Sequence, residues 1–154
     1  MSAEPATVGV GSRPAPISSM LPLPYRVTDR TIETRDSVTL RLEPVDAPIA
    51  PFRPGQFTML YRPGVGEVAI SVSGDPTAED GSLTQTIRDV GAVSRALHQA
   101  VPGDLIGVRG PYGRGWGVSD ARGGDVVVVA GGIGLAPLRA AVLEVVRARS
   151  GFGR

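Results

Sequence analysis

From Tyr25 to Arg109 apolar and polar residues largely alternate with a period of two, the pattern of half-buried strands. The alternation predicts strands over Tyr25 to Ile32 and Val38 to Leu42, with Thr34 to Ser37 as the turn between them. Pro54-Gly55 makes a turn before a third strand, Gln56 to Tyr61, in which Phe57, Met59 and Tyr61 share one face. Gly64 to Gly66 leads into a fourth, Val68 to Ser73. A polar, acidic loop from Gly74 to Ser82 separates these from Leu83 to Val90 and Leu105 to Arg109. Six short strands punctuated by Gly and Pro predict a mainly β fold closed into a barrel.

Two segments break the period. Val93, Ala96, Leu97 and Ala100 recur at helical spacing, which predicts a short helix over Ser94 to Val101 opening after Gly91. Arg88, the Gly91 turn and the Ser94 hydroxyl would then bring charge, N–H donors and a side-chain donor to one phosphate. A capped surface helix is the competing reading. Later, Val126 to Val129 is a β-branched run without alternation, as in a strand buried on both faces. Glycines 131, 132 and 134 follow, and Pro137 suits the first turn of a helix running to about Arg149. That helix would bury Leu138, Val142, Val145 and Val146 and leave Arg139, Arg147 and Arg149 exposed. The start of such a helix favours a phosphate. The competing reading is a strand-to-helix turn whose glycines serve packing, and the spacing is neither G-x-G-x-x-G nor a P-loop.

Composition narrows the chemistry. With 154 residues, 42% of them hydrophobic, the chain is long enough to bury a real core, and a net charge of +1 lacks the imbalance of a nucleic-acid or membrane-surface binder. Aromatic residues at 5% also disfavour a barrel that binds nucleic acid or sugar. The absence of cysteine removes disulfides, cysteine-held iron–sulfur clusters and cysteine zinc sites, so redox chemistry needs a bound organic cofactor or a partner chain. His98, the sole histidine, has no metal-type neighbour and reads as a packing or surface residue; no metal site and no Ser-His-Asp arrangement follow. Glu79 and Asp80 read as solvated loop acids. Residues 1–20 show little periodicity and are expected to be a disordered tail. No stretch has signal-peptide or membrane-spanning character, which leads to the expectation of a cytoplasmic protein.

Six motifs in order carry a resemblance: Phe52-Arg53-Pro54-Gly55-Gln56-Phe57; Gly66-Glu67-Val68-Ala69-Ile70-Ser71-Val72-Ser73; Thr86-Ile87-Arg88 with Gly91-Ala92-Val93-Ser94; Pro102-Gly103-Asp104; Gly110-Pro111-Tyr112-Gly113; and Gly131-Gly132-Ile133-Gly134-Leu135-Ala136-Pro137. Over residues 21–154 the chain resembles the ferredoxin-NADP reductase superfamily. Within it the likeness is to the flavin-carrying gamma subunits of cytoplasmic nickel-iron hydrogenases and sulfhydrogenases, and to electron-transfer subunits of anaerobic sulfite reductase and dihydroorotate dehydrogenase. The resemblance implies a six-stranded antiparallel Greek-key barrel that binds FAD over residues 21–122, followed from residue 123 to 154 by the first strand-helix unit of an α/β domain for NAD(P).

By the same resemblance Ile70, Ser71, Val72 and Ser73 would lie along the isoalloxazine and ribityl chain. Arg88, Gly91, Ala92, Val93 and Ser94 would hold the flavin's pyrophosphate, Thr86 would be a further cofactor-binding residue, and Gly131, Gly132, Gly134 and Pro137 would face the phosphates of the nicotinamide cofactor. No residue is assigned as catalytic, since the flavin carries the chemistry. Where the superfamily has Arg-x-Tyr-Ser this chain has Val68-Ala69-Ile70-Ser71, which removes a phosphate-pairing arginine and a ring-stacking tyrosine from their usual places and leaves Arg88 to supply charge. The family continues through further parallel strands and, in the gamma subunits, a cysteine cluster for a 2Fe-2S centre, so the chain reads as a truncated member. The expected function is an FAD-binding oxidoreductase component exchanging electrons between NAD(P)(H) and an iron–sulfur subunit of a hydrogenase or a sulfur or sulfite reductase. The alternative is a non-catalytic flavin-binding or interaction fragment. In either case an exposed C-terminal strand-helix unit is expected to promote self-association or to meet a partner.

Overall fold

The computed structural model describes residues 20–153; the expected N-terminal tail lies, but for Met20, outside the described residues. Six strands form one antiparallel sheet: β1 (Leu23–Thr34), β2 (Ser37–Pro44), β3 (Phe57–Arg62), β4 (Gly66–Ser71), β5 (Leu83–Arg88) and β6 (Leu105–Tyr112). Their order is β4-β3-β6-β1-β2-β5, so two hairpins, β1–β2 and β3–β4, are joined through β6 and β5 returns beside β2. Helix α1 (Ala92–His98) lies between β5 and β6, and α2 (Leu135–Arg147) follows a 3-10 turn at Gly132–Gly134.

The period-two pattern decides which side chains enter the core. Tyr25 and Val27, Val38, Leu40 and Leu42, Leu60, Leu83 and Ile87, Ile106 and Val108 all point inward and are essentially inaccessible to water. Leu97 and Ala100 plug the open end from α1 and the turn after it. On β3 the face carrying Phe57, Met59 and Tyr61 is the outer one. Thr58 and Leu60 point inward, while Phe57 packs outside against Tyr112 with ring centroids 5.9 Å apart.

The sheet curls until its edge strands meet, but no ladder joins β4 to β5. Ser73 N–H donates to Thr84 O (2.9 Å), and the buried Gln85 amide reaches Ile70 O (2.9 Å) across the same seam. Tyr25 ties two loops over one end: its hydroxyl accepts from Ile49 N (2.8 Å) and approaches Gly81 O (3.4 Å), and burial pushes its phenol up.

The C-terminal part differs from expectation in two ways. Val126 to Val129 is not a buried central strand: it belongs to no sheet, Val127 and Val129 are both 84% exposed, and residues 126–130 make no backbone hydrogen bond to other described residues. A parallel strand is stable only between neighbours that pair its backbone and cover both faces, and the described residues hold no such neighbour. Helix α2 likewise buries Ala140 and Ala141, leaving Leu138, Val142 and Val145 half-buried and Val146 62% exposed. Its arginines are exposed as expected, yet each is engaged. Arg139 Nη1 donates to Ser73 O (2.7 Å), Arg147 pairs with Asp75 and Thr77, and Arg149 Nη1 donates to Phe152 O (3.0 Å).

Gly55 is held by two constraints. Its φ is +98°, and an added Cβ would lie 2.1 Å from the Trp116 indole that covers it. Gly55→Ala should therefore lower unfolding free energy by about 1–3 kcal/mol for the backbone alone, with further loss from displacing Trp116. Urea denaturation followed by Trp116 fluorescence measures this, and a midpoint equal to wild type would show that the turn relaxes without cost.

Candidate functional site

A cleft of about 690 Å³ opens where the outer face of β2 and β5 meets the glycine turn before α2. On β5 the alternation that buries Leu83, Gln85 and Ile87 turns Thr84, Thr86 and Arg88 outward into this cleft. From β2 and its hairpin come Asp36, Ser37 and Thr39, and the far wall is Gly132, Ile133, Leu135, Ala136 and Arg139. Four of the residues singled out in the sequence meet here: Ser73, Thr86, Arg88 and Gly132.

The floor is a row of hydroxyls with its hydrogens already assigned. Thr39 donates to Glu33 Oε1 (2.6 Å), so in its contact with Thr86 (2.9 Å) it is Thr86 that donates. Ser73 Oγ donates to Thr84 O (3.1 Å). These oxygens therefore present lone pairs to the cleft, and a ligand on this floor is recognised through N–H or O–H groups of its own.

Positive charge enters at one end. Arg88 Nε donates to Asp36 Oδ2 (2.7 Å), and its terminal nitrogens have no partner among the described residues. Asp36 in turn accepts from Thr34 Oγ1 (2.7 Å) and Ser37 Oγ (3.2 Å). The Thr34 hydroxyl first, and then Arg88, hold its carboxyl down at about 2. The carboxylate stays ionised and aims the guanidinium, while the two terminal nitrogens, with four N–H between them, remain for an incoming anion.

The glycine turn contributes backbone. Gly132 has φ +53°, and an added Cβ at Gly131, Gly132 or Gly134 would meet nothing within 4 Å, so the space beside the turn is open. Pro137 lies half-buried in the first turn of α2. At the start of α1 the Gly91 N–H and the Ser94 hydroxyl, expected to converge on a phosphate, are engaged with each other. Ser94 Oγ accepts from Val90 N (3.0 Å) and Gly91 N (2.9 Å) and donates to Gly91 O (3.1 Å). A serine at the third helical position reaches back to the cap by geometry, which corrects its reading as a free donor. Gly91 and Ala92 are exposed, whereas the side chains of Val93 and Ile70 pack half-buried on the core and that of Val72 lies in it, so Val72 can meet a ligand only through backbone. Ser71 is half-buried at the end of β4.

Asp36, Thr39, Glu33 and Arg139 were not picked out in the sequence. The outward phase of Thr39 is legible in the alternation. The approach of Asp36 to Arg88 follows from the pairing of Ser37 with Arg88, and no local pattern announces it. Among the described residues no group of His, Cys, Asp or Glu is arranged to hold a metal ion. His98 is half-buried, its carbonyl accepting from Arg30 Nη2 (3.0 Å).

No protein-family model matches the chain. It is 43% identical over 102 residues to the gamma subunit of sulfhydrogenase 1 from Pyrococcus furiosus, an alignment covering 66% of this chain and 35% of the relative. It is 40% identical over 131 residues to a probable dihydroorotate dehydrogenase B (NAD(+)) electron transfer subunit from Methanopyrus kandleri, covering 85% of this chain and 47% of the relative. Its homologues are sulfhydrogenase gamma subunits and dihydroorotate dehydrogenase electron-transfer subunits. The chain spans about a third to a half of the length of these curated relatives. Among solved structures, phthalate dioxygenase reductase superposes with a TM-score of 0.74 at 20% identity, covering 87% of this chain and 42% of that one. The fold is thus ferredoxin-NADP reductase-like, with the six-stranded antiparallel sheet expected from the sequence.

The Asp36 carboxyl carries a testable pH dependence. Its folded pKa, about 2, lies below the ordinary 3.8, so its contribution to stability is complete above that ordinary value and is lost as pH falls through about 2. Asp36→Asn should flatten part of the acid limb of stability measured by urea denaturation, and an NMR titration should place the Asp36 midpoint near 2. A midpoint at the ordinary carboxylate value would remove the Asp36–Arg88 pairing from the cleft.

Proposed function

We propose that this chain binds FAD in the cleft between β2, β5 and the glycine turn. It would serve as the flavin-bearing part of an oxidoreductase passing electrons between NAD(P)(H) and an iron–sulfur partner subunit, in a hydrogenase or a sulfur- or sulfite-reducing complex. The observation that carries this reading is the meeting of Ser73, Thr86, Arg88 and Gly132 on one cleft. The homologues, named as subunits of hydrogenase and dihydroorotate dehydrogenase, support a partner subunit for this chain as well.

The residues present fit a flavin dinucleotide. The cleft volume is within the range of ligand sites, and the terminal nitrogens of Arg88 are available to a phosphate. The lone pairs of Thr39, Thr86 and Ser73 suit a ring that donates N–H. Ile133 and Leu135 give the cleft an apolar wall. First-turn backbone N–H groups of α1, at Ala92 and Val93, would add to the phosphate contacts. Gly131, Gly132, Gly134 and Pro137 are proposed to face the nicotinamide cofactor's phosphates. The flavin, when bound, supplies the ability to take up a hydride and release electrons singly. In this proposal residues 21–122 form the flavin unit and 123–154 begin the nicotinamide unit. No helix of the described residues is long and apolar enough to cross a membrane, and the cytoplasm is the proposed location.

A second reading, a flavin-binding component without turnover of its own, is favoured by the unpaired state of residues 126–130. In a doubly wound domain a dinucleotide is held by loops at the ends of several strands, and here one glycine turn is available. The extended valines, exposed with open backbone edges, suit pairing with a strand of a partner subunit or a second copy.

Flavin titration tests the binding. The chain should take FAD in preference to FMN, and Arg88→Ala should weaken FAD by about ten- to a hundredfold, the equivalent of a charge-assisted hydrogen bond. Failure of the wild-type chain to bind FAD would end the reading, and equal affinity of the variant would remove Arg88 from the site. For turnover, the FAD-loaded chain is mixed with ferricyanide under saturating NADH and then NADPH. Slow reduction that rises on adding a partner subunit is expected, and rates equal to a complete reductase would refute the component reading.

A further inference from the structure

The segment Ile70–Ser73 is where β4 parts from β3, the last paired residue being Ser71 opposite Phe57. Beyond the β3–β4 ladder, four hydrogen bonds hold its backbone. Val72 N–H donates to Gln56 O (3.1 Å), Ser73 N–H to Thr84 O (2.9 Å), Arg139 Nη1 to Ser73 O (2.7 Å), and Gln85 Nε2 to Ile70 O (2.9 Å). Of these four, the bond from Gln85 is made by a side chain of the barrel core.

Gln85 is fully buried on β5, opposite Leu40 and between the inward residues Leu83 and Ile87. Its Nε2 also donates to Thr58 Oγ1 on β3 (2.9 Å). Because Ile70 O only accepts, the orientation of the amide is determined by chemistry. Its Oε1 is buried without a partner. A leucine would fill the same inward position with no orphaned oxygen, so the amide contributes something packing does not: two donors that reach β3 and β4 at once. Since no ladder joins β4 to β5, this side chain takes the place of a ladder rung.

We propose that Gln85 is a positioning residue that sets the backbone of Ile70–Ser73 from inside the barrel, and through Ser73 the shape of the flavin-facing wall. The second half of this inference rests on the flavin reading; the first half does not. Replacing the amide removes the tie between Ile70 O and β5; Ile70 keeps its pairing with Thr58 on β3, and the end of the segment beyond that ladder, Val72 and Ser73, samples other positions although the surrounding core is apolar and intact.

The experiment uses the whole 154-residue chain as Gln85→Leu and Gln85→Met, the second being unbranched and close in length should the first fail to fold. Thr58→Val serves as control because it keeps the bond to Ile70 O. In ligand-free protein, amide hydrogen exchange at Val72 and Ser73 should quicken by about tenfold in the Gln85 variants, with Leu40 and Leu42 unchanged and Thr58→Val like wild type. FAD affinity should fall by about three- to tenfold, and the visible band of the bound flavin should shift, which a loss of global stability alone does not produce. Unchanged exchange at Val72 and Ser73 in a folded Gln85 variant overturns the positioning role. Quickened exchange in a chain whose wild type binds no FAD upholds that role and removes the flavin half.

Discussion

The structure depends on how the two edge strands of a curled sheet are brought together. Every other neighbouring pair of strands shares a ladder, so its geometry is fixed by backbone alone. Between β4 and β5 the chain instead uses the backbone N–H and the hydroxyl of Ser73, both on Thr84 O, and the side-chain amide of Gln85 on Ile70 O. A seam of this kind leaves the outer face of β5 unobstructed and lets β4 bend away after Ser71. The cleft lies beside this seam, its lining running from Ser73 and β5 across β2 to the glycine turn and Arg139.

Electrostatics then divides the cleft by function. A hydroxyl floor with its hydrogens committed to protein acceptors offers lone pairs, and Arg88, oriented by an ionised Asp36, offers donors at one end. Arg139 reaches across from α2 to the Ser73 carbonyl, so the glycine-turn helix and the β4 segment share a contact. Two elements far apart in sequence thereby form opposite walls of one site. A ligand with a ring that donates hydrogen bonds and a tail that carries phosphate matches this division of donors and acceptors.

The valine segment shows the opposite case, a sequence written for a context the described residues do not supply. Four β-branched residues favour extended backbone, and residues 126–130 lack the strand character of a paired ladder. Their backbone donors and acceptors meet no partner among the described residues, and two of the valines are almost fully exposed. In the relatives, this chain corresponds to about a third to a half of the polypeptide.

The strands, their inward faces and the helix after the glycine turn were legible in the sequence because each follows from a local rule. Alternation sorts Val38, Leu40 and Leu42 from Thr39 and Arg41, helical spacing aligns Val93 with Leu97 and Ala100, and glycines mark the turns. Thr86 is legible from the resemblance, Arg88 and Gly132 also from their places before helix starts, and all three line the cleft. Only the tertiary structure decided which donors remained free: Ser94 and Gly91 satisfy each other, Arg88 leans on Asp36, and Gln85 bridges Thr58 and Ile70. It also decided that Val126 to Val129 lies exposed. A hydrogen-bond partner is a property of register and of approach between distant segments, whereas periodicity reports only which way a side chain points.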